Sequence, residues 1–179
     1  MVLVMSVLSL SAELKINMAR VFLSLGSNIE AEKNIRSALR ILKDLYPDMQ
    51  ASCVYESEAV GFQGDNFLNL VVAFDTQLSV QGLHDELNEL EELHGRLRGQ
   101  ESFMARTLDI DLLLYDELIL EEEGLHIPRR EIEEYAFVLL PLTELAPDLA
   151  YPLTGETYSE MWERFEKGDQ ELWAVDFEY

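Results

Sequence analysis

The stretch that organises this chain reads Arg106-Thr107-Leu108-Asp109-Ile110-Asp111-Leu112-Leu113-Leu114-Tyr115. Its residues alternate between an apolar set (Leu108, Ile110, Leu112 and Leu114) and a second set (Asp109, Asp111, Leu113 and Tyr115). A period of two predicts a β-strand whose apolar set faces a hydrophobic core. Because residues two apart on a strand point the same way, Asp109 and Asp111 should project from one face, roughly 6–7 Å apart by the strand rise.

The charges around this stretch favour binding of an anion with a divalent cation. Mg²⁺ takes oxygen ligands from carboxylates and substrate phosphates, and arginine guanidinium groups match phosphate oxygens in pairs. Between Asp44 and Glu163 all the basic residues are arginine: Arg96, Arg98, Arg106, Arg129 and Arg130. In a chain of formal net charge -22, this concentration predicts a local cationic pocket. The simpler alternative places the two aspartates at an exposed strand end and pairs the arginines with surface acids.

Composition is typical of a single globular domain. With 179 residues and 48% hydrophobic content, the chain can bury a core without disulfides or metals. The lone cysteine, Cys53, excludes an intrachain disulfide, fits a reducing cytoplasm and is expected to be a small core residue, because it lies in an apolar run. The strong acidity argues against unaided binding to nucleic acid or to anionic membranes.

The two ends of the sequence are predicted to lie outside the folded domain. Residues 2–8 are apolar, but no basic residue precedes them and they are too few to span a bilayer. Residues 1–17 are therefore interpreted as a disordered leader or start-site extension, with a secretory leader as the less favoured alternative. Residues 18–167 form a single domain, and the acidic tail at 168–179 is expected to be loosely held.

Periodicity predicts strands over residues 20–25, 50–58 and 67–77, and helices over 35–45 and 79–95. Ser79 suits a helix N-cap, Gly95 suits a helix end, and the acidic outer face that includes Glu91 is predicted to be solvated. Together with the strand at Asp109, the order β-α-β-β-α-β predicts an α+β ferredoxin-like sandwich, in which helices pack on a mainly antiparallel sheet. A brief strand at 117–120 and a helical region ending at Pro147 follow.

Two further features concern the pocket. Asn69 interrupts an apolar strand, and leaving a buried amide unpaired costs about 1–3 kcal/mol. Asn69 therefore either bonds neighbouring backbone or faces a ligand that has both donors and acceptors. Residues 96–106 form a loop with Gly99 as its flexible point, and such a loop can close over a ligand.

In this order the motifs resemble those of the 6-hydroxymethyl-7,8-dihydropterin pyrophosphokinases, a family of folate synthesis. The matching segments are Leu25-Gly26-Ser27-Asn28, Tyr55-Glu56-Ser57-Glu58-Ala59-Val60-Gly61, Phe67-Leu68-Asn69, Gly95-Arg96-Leu97-Arg98, Arg106-Thr107-Leu108-Asp109-Ile110-Asp111 and Phe137-Val138-Leu139-Leu140-Pro141-Leu142. The resemblance runs from about Met18 to about Phe165, and the combination of segments is highly specific.

The resemblance implies transfer of diphosphate from ATP to the hydroxymethyl oxygen of the pterin, giving AMP and the pterin diphosphate. It implies that Asp109 and Asp111 hold two Mg²⁺ ions on the ATP phosphates, with Asp111 as a candidate acceptor of the hydroxyl proton. The residues implied to bind ATP are Arg96, Arg98, Arg106 and Arg129, of which Arg96 and Arg106 also assist transfer. The residues implied to bind the pterin are Ser57, Phe67, Asn69, Phe103 and Phe137. A flat heterocycle is well bound between two aromatic faces such as Phe67 and Phe137.

Five positions depart from the family pattern. Proline is usual where Ala59 and Ala105 stand, threonine where Ser57 stands, histidine where Arg129 stands, and a basic residue where Tyr135 stands. These differences bear on rate and ATP affinity more than on fold or ligand class. They keep open a degenerate member that binds nucleotide or pterin without turnover and, beyond it, an acidic interaction module with a basic partner. The expected partners are ATP and a pterin, without nucleic acid or membrane, for a cytoplasmic monomer or weak dimer.

Overall fold

A central β-sheet with helices on both faces forms the architecture of the computed structural model, which describes residues 18–61, 63–95, 106–122 and 124–179. In chain order the elements are β1 (Ala19–Ser27), α1 (Ala31–Leu45), β2 (Gln50–Ala51), β3 (Val54–Ser57), β4 (Phe67–Thr76), α2 (Val80–Leu93), β5 (Asp109–Tyr115), β6 (Leu120–Glu122), β7 (Leu125–Ile127), α3 (Glu131–Glu134), α4 (Ala136–Leu145), α5 (Tyr158–Glu163) and β8 (Leu172–Val175). The predicted leader at residues 1–17 lies outside the described residues.

The main sheet has the strand order β5-β1-β4-β3-β8, and β2 also pairs with β4. Neighbouring strands are antiparallel throughout these pairings. With β1 and β4 at the centre and β5 and β3 beside them, this is the ferredoxin-like arrangement, and the predicted fold class is confirmed. Among the described residues, no helix combines the length and the apolar character that crossing a bilayer requires.

The sheet separates two hydrophobic layers. One lies between the sheet and helices α1 and α2 and includes Leu23 and Leu39. The other lies between the sheet and helices α3 to α5 and includes Leu113 and Leu139. Alternate residues of the central strands supply the two layers, because successive side chains on a strand point to opposite faces. Both faces of β1 and β4 are therefore buried over most of their length.

The predicted ends of α2 are confirmed. The Ser79 hydroxyl accepts a hydrogen bond from the backbone N–H of Gly82 at 3.1 Å, which satisfies one of the unpaired donors at the helix start. Gly95 follows the last turn with φ +84°, a left-handed conformation that glycine adopts without steric cost.

A β-bulge reverses part of the alternation predicted for β5. Leu23 pairs with Leu112, whereas the preceding residue of β1, Phe22, pairs with Leu114, so Leu113 is an extra residue. Asp109, Asp111 and Leu113 share one face as predicted. Leu114 nevertheless joins Leu113 in the α3–α5 layer, and Tyr115 packs on the α1–α2 side. The faces predicted for Leu114 and Tyr115 are therefore wrong, because one extra residue in the strand moves every later side chain to the opposite face of the sheet.

The predicted strand at 50–58 is divided into β2 and β3 by Ser52 and Cys53. The Ser52 hydroxyl accepts from the backbone N–H of Val71 at 3.0 Å, and neither Ser52 nor Cys53 belongs to a strand. Cys53 is exposed, so its assignment to the core is wrong. Its backbone N–H donates to Glu144 Oε2 at 2.9 Å, and the Glu144 charge raises the pKa of the Cys53 thiol.

The short strand predicted at 117–120 begins later than expected. Asp116 has φ +47°, and the backbone N–H of Leu118 donates to the carbonyl of Tyr115 at 3.0 Å, so a turn occupies this region. The strand that follows is Leu120–Glu122, which pairs with Leu125–Ile127 in a separate hairpin.

The acidic segment at 168–179 differs from its prediction as a loosely held tail. Its residues Leu172–Val175 form β8, which pairs with β3 at the edge of the main sheet. Val175 and Phe177 are partly buried against the α1–α2 layer, which gives the segment an apolar anchor. The polar composition of the segment gave no local indication of a strand. Its pairing partner lies more than a hundred residues earlier in the chain, so local sequence could not indicate the pairing either.

Candidate active site

The floor of the site is a row of residues that crosses three strands. Gly26 of β1 pairs with Asp109 of β5 on one side and with Asn69 of β4 on the other. Asp109 and Asn69 therefore flank Gly26 on one face, about 10 Å apart by two interstrand spacings. A Cβ on Gly26 would lie 3.3 Å from Asn69 Oδ1, so glycine keeps the space between the two side chains open. Two residues before Gly26 on the same strand, Ser24 pairs with Asp111.

A cavity of about 520 Å³ opens above this floor. It contains most of the residues that the sequence implicated: Ser57, Phe67, Asn69, Arg106, Asp109, Asp111, Arg129 and Phe137. Three others, Arg96, Arg98 and Phe103, lie outside the described residues, as does the predicted loop at 96–106 apart from Arg106. The side chain of Arg130 is 73% exposed and points to a surface acid, so it belongs to the simpler alternative of surface pairing.

Two arginines reach the two aspartates from opposite sides. Arg106 Nη1 donates to Asp109 Oδ1, and Arg129 Nη2 lies 2.9 Å from Asp111 Oδ1. Arg129 Nη2 also donates to Glu131 Oε1 at 2.8 Å, while its buried Nε has no hydrogen-bond partner among the described residues. The guanidinium groups therefore border the carboxylates, where the oxygens of a bound phosphate could exchange with them.

Asp111 ionises less readily than an ordinary aspartate. Burial, followed by the charge of Asp109, raises the pKa of Asp111 to about 6, although Arg129 opposes the shift. Two carboxylates on adjacent inward positions repel each other, and a cation placed between them relieves that repulsion. Such a perturbed pKa in a cleft is typical of functional sites.

The donor set fits a hard divalent cation. Asp109 and Asp111 offer oxygen ligands on the same face, and no group of three or more metal-binding side chains converges anywhere in the described part of the chain. Mg²⁺ is commonly held by one or two carboxylates, with its remaining ligands supplied by water and substrate phosphates. The pair suits an ion that arrives with a polyphosphate better than it suits a permanently bound one.

At the other end of the floor, Asn69 is 3% exposed and its Nδ2 donates to Ser57 Oγ at 2.9 Å. Asn69 Nδ2 also lies 3.5 Å from the carbonyl of Phe67, so two contacts restrain the amide of a side chain that lines the cavity. Phe67 and Phe137 also line the cavity, and helix α4, which carries Phe137, packs against β3 and β4. The ring of Tyr135 stacks on Phe137, with centroids 4.9 Å apart and planes 15° from parallel.

A turn after β1 holds the start of the arginine–aspartate segment. The backbone N–H of Arg106 donates to Asn28 Oδ1 at 2.7 Å, and the carbonyl of Arg106 accepts from the N–H groups of Asn28 and Ile29. The Ser27 hydroxyl donates to the carbonyl of Thr107. The Gly26-Ser27-Asn28 sequence is thus the support that positions Arg106, a role that its position after a strand did not reveal.

Helix α2 contributes cavity residues that are absent from the predicted ATP-binding, pterin-binding and metal-binding sets. Glu91 is 4% exposed and its Oε1 accepts from the backbone N–H of Ile110 at 2.7 Å, so its predicted position on a solvated face is wrong. His84 and Asn88 line the cavity beside it. The spacing offered a clue, since Glu91 follows the buried Leu87 by four residues and hence lies on the same helix face.

Two aspartates bordered by guanidinium groups, together with aromatic side chains that line the same cavity, are an arrangement suited to an enzyme that handles phosphorylated substrates. The model of one protein family, 7,8-dihydro-6-hydroxymethylpterin-pyrophosphokinase (HPPK), matches residues 22–147. The chain belongs to this family, and its predicted class, an ATP-dependent diphosphotransferase, is confirmed.

Curated pyrophosphokinases match this chain over most of their length. The chain is 33% identical over 152 residues to the 2-amino-4-hydroxy-6-hydroxymethyldihydropteridine pyrophosphokinase of Haemophilus influenzae, covering 83% of this chain and 94% of that protein. It is 38% identical over 138 residues to the Pseudomonas aeruginosa protein of that name, covering 74% and 84% respectively.

Solved structures give the same fold. Wild-type HPPK-DHPS of Plasmodium falciparum superimposes with a TM-score of 0.65 at 14% identity. The match covers 83% of this chain and 41% of that one, so the present chain spans less than half of that protein's length. At this level of identity the likeness supports the fold alone.

Proposed function

We propose that this chain transfers diphosphate from ATP to 6-hydroxymethyl-7,8-dihydropterin with the help of two Mg²⁺ ions, giving AMP and the pterin diphosphate. The observation that carries the proposal is the row Asp109–Gly26–Asn69. It sets a place for a cation–phosphate complex beside a recess for a flat heterocycle, with an open glycine floor between them. Family membership agrees with this substrate pair.

The nucleotide would lie with its phosphates over β5. Arg106 and Arg129 would exchange their contacts with the aspartates for contacts with phosphate oxygens. The buried Nε–H of Arg129, which has no partner in the part of the chain that the structure describes, would also be available to a phosphate. His84 and Asn88 of α2 also line the cavity, and we assign them to the nucleoside. Arg96 and Arg98 are assigned to ATP by the family resemblance, and they lie outside the described residues.

The pterin would occupy the other end. Its flat ring would lie between Phe67 and Phe137, and its polar edge would meet the amide of Asn69, which Ser57 holds in place. Phe103 is assigned to the same ring by resemblance alone. With the ring held there, the hydroxymethyl oxygen would point along the floor toward the aspartates.

The transfer is then a displacement in which positioning and charge compensation do most of the catalysis. The hydroxymethyl oxygen forms a bond to the β-phosphorus of ATP, and the bond from that phosphorus to the bridging oxygen of AMP breaks. Bound Mg²⁺, held by Asp109 and Asp111, would supply charge neutralisation on the polyphosphate. Arg106 stabilises the charge that develops on the transferred group, and Asp111 is the candidate acceptor for the hydroxyl proton.

The proposal is tested by following the fate of ATP labelled at the β-phosphorus. Purified protein with Mg²⁺ and the hydroxymethyl dihydropterin should release AMP and place the label on the pterin. A pterin with a methyl group in place of the hydroxymethyl group should give no AMP, since it lacks the acceptor oxygen. Release of ADP, or no nucleotide product at all, would count against the proposal.

Asp109→Asn is the matched variant for the cation site. We expect turnover to fall by at least a thousandfold with an unchanged circular dichroism spectrum, a size typical of losing a major electrostatic contribution. The exposed Asp48→Asn carries the same charge change and should retain full activity. Retained activity in Asp109→Asn would remove the metal role.

A second candidate is a member that binds nucleotide or pterin without turnover. Two observations favour it: Tyr135 stacks on the cavity ring Phe137, and Arg129 is paired with both Asp111 and Glu131. Calorimetry that shows ligand binding without AMP release would select this candidate. A cytoplasmic location and a monomeric or weakly dimeric state stay predictions.

A further inference from the structure

The segment formed by residues 168–179 lies outside the range that the family model matches, yet it touches both walls of the heterocycle end of the cavity. One wall is the β3–β4 part of the sheet, which carries Ser57 and Asn69. The other wall is the junction of α3 and α4, which carries Tyr135 and Phe137.

The first contact is a strand pairing. Leu172 of β8 pairs with Ser57 of β3, and Ser57 pairs in turn with Phe67 of β4. Ser57 is therefore enclosed between two strands, and its hydroxyl accepts the Asn69 amide. Without β8, β3 would be an edge strand beside the recess, where pairing is weakest.

The second contact is made by one side chain. Gln170 Oε1 accepts from the backbone N–H of Ala136 at 2.9 Å, and Gln170 Nε2 donates to the carbonyl of Glu134 at 3.0 Å. These two backbone groups bracket Tyr135 and immediately precede Phe137. The Gln170 amide thus replaces a missing backbone partner at the point where α3 ends and α4 begins.

A third contact anchors the far end of the segment. Phe177 packs against the α1–α2 layer, and the guanidinium group of Arg36 lies 4.7 Å from the centre of its ring. With both ends held, Gln170 and β8 connect the α3–α4 junction to the sheet edge through a single intervening residue, Glu171.

We propose that the 168–179 segment sets the separation of the two walls that receive the heterocycle, and that Gln170 is the positioning residue for Phe137. This inference rests on the proposed function, because it assigns the recess to the pterin. Among the described residues, the Gln170 side chain bonds only the backbone of Glu134 and Ala136, so its influence should fall on pterin binding and not on the phosphate end of the cavity.

The test is Gln170→Ala in the full chain, with initial rates measured against each substrate in turn. We expect the KM for the pterin to rise about tenfold, the size that follows from losing two neutral hydrogen bonds. The KM for ATP and kcat should stay within about twofold of the unaltered protein. Gln170→Glu keeps an acceptor for the Ala136 N–H and should recover part of the pterin affinity.

Gln81→Ala is the matched control, because Gln81 is an exposed glutamine whose amide bonds only a surface aspartate among the described residues. It should leave both KM values unchanged. Pterin binding without ATP, followed by pterin fluorescence, supplies a readout independent of turnover.

The outcomes separate the two proposals. Absence of AMP formation by the unaltered chain overturns the proposed function. An active chain whose Gln170→Ala variant keeps its pterin KM and pterin affinity overturns the positioning role alone. The positioning role is also overturned if Gln170→Ala raises both KM values and lowers kcat by similar factors and Gln170→Glu recovers none of the change. That pattern would report a general loosening of the fold.

Discussion

Replacing Asp111 by asparagine should stabilise the protein in the absence of cations while abolishing its activity. Raising the pKa of Asp111 from 3.8 to about 6 corresponds to about 3 kcal/mol of unfavourable ionisation at neutral pH. A third of the side chain is exposed and the substitution costs Arg129 a partner, so solvent screening and that loss reduce the expected gain to about 1 kcal/mol. For a chain of this length, 1 kcal/mol corresponds to a rise in Tm of about 2–4 °C.

The pH dependence fixes the sign of this effect. Because the folded state holds the proton more tightly than the unfolded chain, the aspartate favours folding below its ordinary pKa, and this contribution is lost as pH rises through about 6. The difference in Tm between Asp111→Asn and the unaltered protein should be greatest at pH 7–8 and disappear near pH 4. Scanning calorimetry in the presence of a chelator measures it, with Asp48→Asn as the control for general charge.

Addition of Mg²⁺ and ATP should reverse the order of the Tm values, so that the unaltered protein melts at a higher temperature than Asp111→Asn. Ligand at about a hundred times its Kd stabilises a protein by about 2.7 kcal/mol, and Asp111→Asn should forgo most of this gain. The reasoning is refuted if Asp111→Asn melts below the unaltered protein at pH 7 without ligand, or if the difference in Tm does not depend on pH.

Two further substitutions test the floor of the cavity and its support. Gly26→Ala places a Cβ 3.3 Å from Asn69 Oδ1, so the pterin KM should rise at least tenfold while the Tm stays within a few degrees. Steady-state kinetics measure the pterin KM, and an unchanged value would contradict the role of Gly26 as an open floor. Glu91→Ala leaves the buried N–H of Ile110 without its acceptor, which should cost about 1–3 kcal/mol in chemical denaturation. Glu91→Gln retains an acceptor oxygen and should recover most of that stability, and an equal loss in both variants would show that the carboxylate charge matters instead.

Local pattern was enough to predict the central elements of this fold. The alternation from Leu108 to Leu113 indicated a strand with two aspartates on one face, and Ser79 and Gly95 marked the ends of α2, because these features depend on neighbours in sequence. The bulge at Leu113 could not be predicted in the same way. It is set by the pairing of β5 with β1, and a single inserted residue sends Leu114 and Tyr115 to opposite faces from those expected.

The sequence by itself determined which chemical groups the site contains: two carboxylates on a strand, arginines concentrated near them, and an amide in an apolar strand. The tertiary structure alone decided what those groups contact. Glu91 is buried because its helix packs on β5, and Cys53 is exposed in the interval between β2 and β3. Residues 168–179 join the sheet because β3 offers an unpaired edge. Each of these facts depends on a partner distant in the chain, and periodicity carries information only about residues that are close in sequence.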